Sequence, residues 1–234
     1  NYNGFVGTSA PAQKLDLLNA QQYAEIQNES AYNAAIDAGV DPENINLPYD
    51  DPASYGAGTD WQDQIFNESA IRQSHELSIS GGNDVSTFYT SFGYWNQEGI
   101  VATDISNYER INLRLNSNHK ITKWLTFGQN FGYTHQKSVG LGNTNSEFGG
   151  PLSSAINLDP ITPVIIIDPD IANSSPYSTE AGIMRDAYGN PYAISTIVGQ
   201  EMSNPLAYIQ TRLGNYGWSD DFIGNVFGEV QIIK

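Results

Sequence analysis

The sequence contains no cysteine. That excludes a disulfide framework and any zinc site built on thiolates, although it does not by itself assign a compartment. Basic residues are scarce: 10 Lys and Arg stand against 26 Asp and Glu, a formal charge of −16. Phosphate binding needs clustered cations, so no nucleic-acid partner is expected. No apolar run approaches the roughly 20 residues of a membrane-spanning helix. The chain opens Asn1-Tyr2-Asn3-Gly4, without an initiator Met, a basic n-region or an apolar h-region. It therefore reads as an internal piece or a processed form, with no signal peptide. Gly-x-Ser-x-Gly elbows, P-loops and His-Glu-x-x-His pairs are also missing, and with them the commonest hydrolase, nucleotide and zinc-protease signatures.

What the chain has is aromatic residues and alternation. Hydrophobic residues make up 39% and aromatics 12%, including 14 Tyr and 9 Phe, too many for an acidic disordered chain. Along 107–121, Tyr108, Arg110, Asn112, Arg114, Asn116, Asn118 and Lys120 share one parity, and Ile111, Leu113, Leu115, Ser117, His119 and Ile121 the other. Side chains alternate along a strand, so one face is polar and its opposite mostly apolar. Residues 124–138 repeat the pattern, with Leu125, Phe127, Phe131 and Tyr133 against Thr126, Asn130, Thr134 and Gln136. Residues 71–81 do so again. Residues 84–97 are less clean, because Tyr89 and Trp95 oppose Phe88, Phe92 and Tyr94. Residues 1–8 and about 215–233 complete six strands. Runs of about 11–15 residues exceed the 5–6 of a typical globular strand. At about 3.3 Å per residue they could cross a bilayer while tilted.

The connections are unequal in a regular way. Gly82-Asn83 and Thr122-Lys123 read as tight turns, 98–106 as a medium loop, and 10–70 and 139–214 as long excursions. All the longer connections fall at one end of the strands. Short periplasmic turns and long extracellular loops give transmembrane barrels this parity. The expected fold is all-β: an antiparallel transmembrane β-barrel segment of about six strands of a larger barrel, with extracellular loops at 11–70 and 139–214 containing short helices. Asn19 with Gln22 predicts a capping box for a helix through Gln21–Gln27. Trp61–Phe66 predicts a short helix after Thr59 or Asp60, and Pro151–Leu158 and Asn204–Ile209 predict two more. The excursions hold most of the acids: eleven against one base in 11–70.

Few residues suggest chemistry. His75, His119 and His135 fall on separate strands and read as wall or interface histidines. Gly140-Leu141-Gly142 lacks the strand–helix context of a nucleotide site and reads as a loop. No catalytic or metal-ligating set is expected. Calcium held by Asp168-Pro169-Asp170 or Asp50-Asp51 is a weaker reading than solvated loop charge. The face of Arg110, Asn112, Arg114, Asn116 and Asn130 is the candidate lumen wall, meeting solute or plug, or simply lining a water-filled pore. Tyr177, Tyr188, Tyr192 and Trp218, read as loop aromatics, are candidates for solute or lid contact. Loop packing and interfacial anchoring explain them equally well.

Several segments, in order and spacing, resemble the SusC/RagA family of TonB-dependent outer-membrane transporters. They are Leu18-Asn19-Ala20-Gln21-Gln22-Tyr23-Ala24, Thr59-Asp60-Trp61-Gln62-Asp63-Gln64-Ile65-Phe66, Leu77-Ser78-Ile79-Ser80-Gly81-Gly82-Asn83, Gly93-Tyr94-Trp95-Asn96-Gln97-Glu98-Gly99-Ile100, Tyr108-Glu109-Arg110-Ile111-Asn112-Leu113-Arg114 and Thr122-Lys123-Trp124-Leu125. The resemblance covers most of 1–138 and returns at Asn204-Pro205 and the final strand, leaving 139–203 as a variable loop. It implies a plug domain followed by a barrel of about 22 strands. It also implies import of large solutes such as oligosaccharides or peptides, a SusD-like surface lipoprotein as lid, and energy from TonB acting on the plug. The plug and the later strands are expected outside this chain. Six strands cannot close such a barrel, and an open edge in lipid leaves backbone groups unpaired. Two alternatives remain: a secreted or surface all-β polysaccharide-binding module, and an extracellular glycoside hydrolase using two loop carboxylates.

Overall fold

In the computed structural model, residues 1–141, 150–199 and 202–232 are described. The chain divides into two compact units. One is formed by 1–10, 67–140 and 214–234, the other by 11–66 and 141–213.

The first unit is a six-stranded antiparallel sheet in sequence order: β1 (Tyr2–Ser9), β2 (Ala70–Gly82), β3 (Ser86–Glu98), β4 (Asn107–Lys120), β5 (Leu125–Val139) and β6 (Gly217–Val230). Every pair is a sequence neighbour, the meander that alternating strands with short returns favour. Ile233, at the end of the sequence-based sixth strand, lies outside the described residues, as does Gly142.

Polar side chains close the hairpins. Asn83 Oδ1 accepts from the Val85 and Ser86 amides at 2.9 and 2.8 Å. Thr122 Oγ1 accepts from Trp124 and Leu125 at 3.3 and 3.0 Å. Both returns are therefore longer than the two residues the sequence suggests, because Asn and Thr side chains form turns of their own with the backbone two and three positions ahead.

Register decides which residues share a face. Leu113 lies opposite Phe92 and Tyr133, and Arg114 opposite Ser91 and Gly132. Opposed residues project to the same side, so the two parities of β4 extend across the sheet. On the apolar face, Ile79, Phe92, Leu113, Leu115, Phe131 and Val226 are all 44–61% exposed. Among the described residues of this unit, nothing covers this face. A soluble sandwich would bury it against a second sheet.

The second unit is built from helices and irregular chain. α1 (Ala20–Asp37) carries the capping box: Asn19 Oδ1 accepts from Gln22 N at 2.9 Å and Gln22 Oε1 from Asn19 N at 3.0 Å. It runs well past the expected Gln27, because Glu29–Asp37 holds no breaker, and ends where Gly39 adopts φ +78°. α2 (Trp61–Ile65) is capped by Asp60, which accepts from Gln62 N and Asp63 N. Gly58, at φ +67°, passes so close to Pro160 O that a Cβ would lie 2.2 Å from it. α3 (Pro151–Asn157) and α5 (Pro205–Arg212) fall at their expected places. α4 (Pro169–Ala172) lies in a stretch the sequence left irregular, with Asp168 accepting from Asp170 N at 2.9 Å.

Two polar side chains tie this unit together. Asp159, 1% exposed, accepts from Thr162 N and Oγ1 at 2.7 and 2.9 Å and from Ser195 Oγ at 2.5 Å. Its carbonyl takes the Trp61 indole N–H at 2.9 Å. Asn204 caps α5 and donates to Val164 O at 2.8 Å and Ala193 O at 3.2 Å. Ile166, Tyr177 and Ala193, with Ala172 and Ile183 against them, form the apolar cluster that these ties enclose.

Candidate functional site

The polar face of the sheet brings the five lumen candidates together. Arg110, Asn112, Arg114 and Asn116 project from β4, and Asn130 joins them from β5 opposite Asn116. Thr134 Oγ1 donates to Asn112 Oδ1 at 3.0 Å, Asn130 Nδ2 to Asn225 Oδ1 at 2.9 Å, and Gln136 Nε2 to Ser219 Oγ at 2.8 Å. This is a cross-strand ladder of amides and hydroxyls. Gly132, which lacks a side chain, opens a concavity of about 530 Å³ over this ladder, between Arg114 and Asn225. Such a wall can exchange hydrogen bonds with water, sugar hydroxyls or peptide groups, and it contains no nucleophile–base pair.

The polar face also holds apolar and aromatic residues, among them Trp95, which the alternation had already set apart from Phe92 and Tyr94. Phe5 meets Trp95 edge-on at 5.8 Å, and the Arg72 guanidinium lies 5.6 Å from the Phe5 ring centroid. Ile223 and Phe227 project to this side from β6, since they lie opposite Gly132 and Gly128.

The opposite face carries a row of hydrogen-bonded polar and aromatic side chains. Tyr2 and His75 are joined at 2.6 Å, and Tyr94 OH donates to Glu109 at 3.1 Å. Asp220 takes both Tyr133 OH and His135 Nδ1 at 2.7 Å. His119 is bonded to Ser86 and Ser117 at 3.0 and 3.1 Å. All three histidine side chains thus project from the uncovered face. Aromatics whose polar tips are satisfied suit the boundary between hydrocarbon and headgroups.

The four loop-aromatic candidates separate. Trp218 is corrected: it lies on β6, on the uncovered face beside His135 at 6.4 Å between ring centroids. The segment from about 215 is a strand, as its sequence suggests, and Trp218 belongs to it rather than to the loop before it; Asp220 and Asp221 point to opposite faces. Tyr177 is buried in the apolar cluster, its hydroxyl accepting from Ile194 N at 3.0 Å. Tyr192 is also buried, and burial, then the Asp186 carboxylate, pushes its hydroxyl above its ordinary pKa. Tyr188 alone is free, 91% exposed. It tips a tightly bonded turn. Asp186 Oδ1 accepts from Tyr188 N and Asn190 N, both at 2.8 Å, Arg185 donates to Gly189 O at 2.8 Å, and Gly189 takes φ +90°. Partial desolvation raises the Asp186 pKa, but hydrogen bonds from Asn190, Tyr188 and Gly189 outweigh it and hold it below the usual value.

No family profile matches the chain. It is 28% identical over 233 residues to the TonB-dependent receptor SusC of Bacteroides thetaiotaomicron, covering 97% of the chain and 20% of that protein. It is 34% identical over 145 residues to the TonB-dependent receptor P3 of Formosa agariphila, covering 60% of the chain and 13% of that protein. The chain thus spans a fifth or less of these curated relatives. Among solved structures, the RagAB peptide importer in its open-open state superposes with a TM-score of 0.61 at 19% identity. That match takes in 100% of this chain and 26% of that one, and at this identity it speaks for the fold.

Proposed function

We propose, from the premise that this chain is a barrel segment of a SusC/RagA-family TonB-dependent receptor in the bacterial outer membrane, that the complete protein imports large solutes with TonB energy. The solutes are oligosaccharides or peptides, taken up together with a SusD-like surface lipoprotein. One observation carries the reading. In a chain similar along nearly its whole length to the TonB-dependent receptor SusC, a six-stranded sheet exposes an uncovered apolar face on one side and an amide-lined wall on the other. That is the partition a tilted transmembrane barrel requires.

In this reading, Arg110, Asn112, Arg114, Asn116 and Asn130 line the lumen. Leu113, Leu115 and Phe131 meet lipid. The segments 11–70 and 139–214 are extracellular, and Tyr188, preorganised and exposed, is the loop aromatic best placed to meet solute or lid. Trp218 becomes an interfacial anchor. A glycoside hydrolase or a soluble polysaccharide-binding module would leave the apolar face unexplained.

Growth on a candidate glycan or peptide mixture as sole carbon source tests the function, in strains with and without TonB, alongside co-purification of a SusD-like lipoprotein with the full-length protein. Growth should stop without TonB. Undiminished uptake there would overturn the energised-import reading.

A further inference from the structure

Among the described residues, two guanidiniums on the polar face have no hydrogen-bond or ion-pair partner. Arg110 and Arg114 project from β4 with Asn112 between them. Among the described residues, neither guanidinium is hydrogen-bonded or ion-paired, and Arg110 Nε is closed off from solvent without an acceptor. The third arginine of this face, Arg72, does have a neighbour, the Phe5 ring. The register explains the vacancy around Arg114, which has Ser91 on one flank and Gly132 on the other, too small to reach it. A concavity of about 340 Å³ joins the two arginines, with Ser74, Glu76, Ser91 and Trp95 around it. A guanidinium presents its donors in a planar fork, and a buried donor left unpaired is costly. That cost falls on Arg110 Nε; Arg114 is exposed, so the pair offers two forks open to a ligand with no acceptor from the described residues.

We propose that Arg110 and Arg114 form a carboxylate-binding subsite on the lumen wall. A carboxylate matches the fork in bidentate fashion, which a hydroxyl or amide cannot do. Glu76 on the rim sets the sign and size of the ligand charge: it opposes a dianion such as a phosphate monoester, and it offers a contact to any cationic group beside the carboxylate. The chain is strongly acidic overall, but exposed charges farther away than roughly 8 Å are screened at physiological salt. Direct contact with the two forks decides binding.

The carboxylate comes from one of two sources, an acidic solute or an acidic side chain elsewhere in the complete protein. Only the first rests on the importer reading. The test uses the full-length protein in detergent, with Arg110→Gln/Arg114→Gln and Arg110→Lys/Arg114→Lys double variants. Melting temperature is measured without solute, and affinity is measured for trigalacturonate and for its neutral galactose trimer. A carboxylate from the protein itself lowers the melting temperature of the Gln pair by at least about 2 °C. A solute carboxylate leaves melting unchanged and weakens trigalacturonate about 10- to 100-fold, with the neutral trimer unaffected. In either case the Lys pair recovers part of the effect, because charge remains. No change in melting or in the acidic-to-neutral affinity ratio overturns the subsite, as does a Lys pair indistinguishable from the Gln pair. Dependence on TonB is measured separately, so the importer reading and the subsite can fail independently.

Discussion

Leu115 offers the sharpest test of which face meets lipid. It lies on the uncovered face between Thr90 and Phe131 and is 44% exposed. The polar–aromatic row of Tyr94, His75 and His135 crosses β4 at Ile111, and the strand turns just after Ile121. A tilt of about 40° reduces the rise of 3.3 Å per residue to about 2.5 Å along the membrane normal, so the intervening ten residues or so span about 25 Å, the height of a barrel's apolar band. Leu115 then sits close to the midplane and Ile111 at the boundary. Leu115→Arg should destabilise the full-length protein by about 2–4 kcal/mol and Ile111→Arg by about 0–1 kcal/mol. Asn116→Arg, on the opposite face, should cost within about 0.5 kcal/mol. The first value is roughly a 30- to 700-fold shift in the folding equilibrium. Guanidinium titration of protein refolded into liposomes reads it as a change in midpoint at constant slope. Burial in a sandwich would penalise Ile111→Arg and Leu115→Arg alike. Equal costs for that pair, or for Leu115→Arg and Asn116→Arg, would refute the assignment.

Three further outcomes follow from the second unit. Asp159→Ala leaves the Thr162 amide and the Thr162 and Ser195 hydroxyls without their shared acceptor; local stability should fall by about 2–4 kcal/mol, read as faster amide exchange and proteolysis within 159–198 while the strands stay protected. Asn19→Ala breaks the capping box of α1 and should cost about 1 kcal/mol, visible as faster exchange of the first-turn amides, with no effect if the cap is incidental. The Asp186 pKa is lower folded than unfolded, so its contribution is fully present above the ordinary Asp value of about 3.9 and is lost as pH falls through the lower folded value; amide protection at Tyr188 and Asn190 should decline in that acid window, and Asp186→Ala should remove the pH dependence.

The sheet was legible in the sequence because β4 and β5 keep one parity polar and the other largely apolar over 14 and 15 residues. Under that constraint a one-residue slip would move Leu113 and Leu115 to the polar side, so the alternation fixes parity and parity fixes the face. Helix caps were legible for a similarly local reason, since Asn19 and Gln22 act on each other's backbone within one turn. The second unit's interior was not legible. Asp159 reaches Ser195, and Asn204 reaches Val164, and such bonds between distant positions leave no period to read. Tyr177 looked like a surface aromatic because nothing near it in sequence announces the acceptor role of its hydroxyl toward Ile194. Trp218 lies within the sixth strand that the sequence already suggested, so grouping it with the loop aromatics was the misreading; what register adds is that Asp220 stands beside Tyr133 and His135. The arginines divide the same way. Their shared face follows from spacing alone, whereas their lack of partners depends on what β3 and β5 place opposite Arg114, namely Ser91 and Gly132. A binding wall in a barrel is thus written twice, once along a strand, where sequence shows it, and once across strands, where only register does.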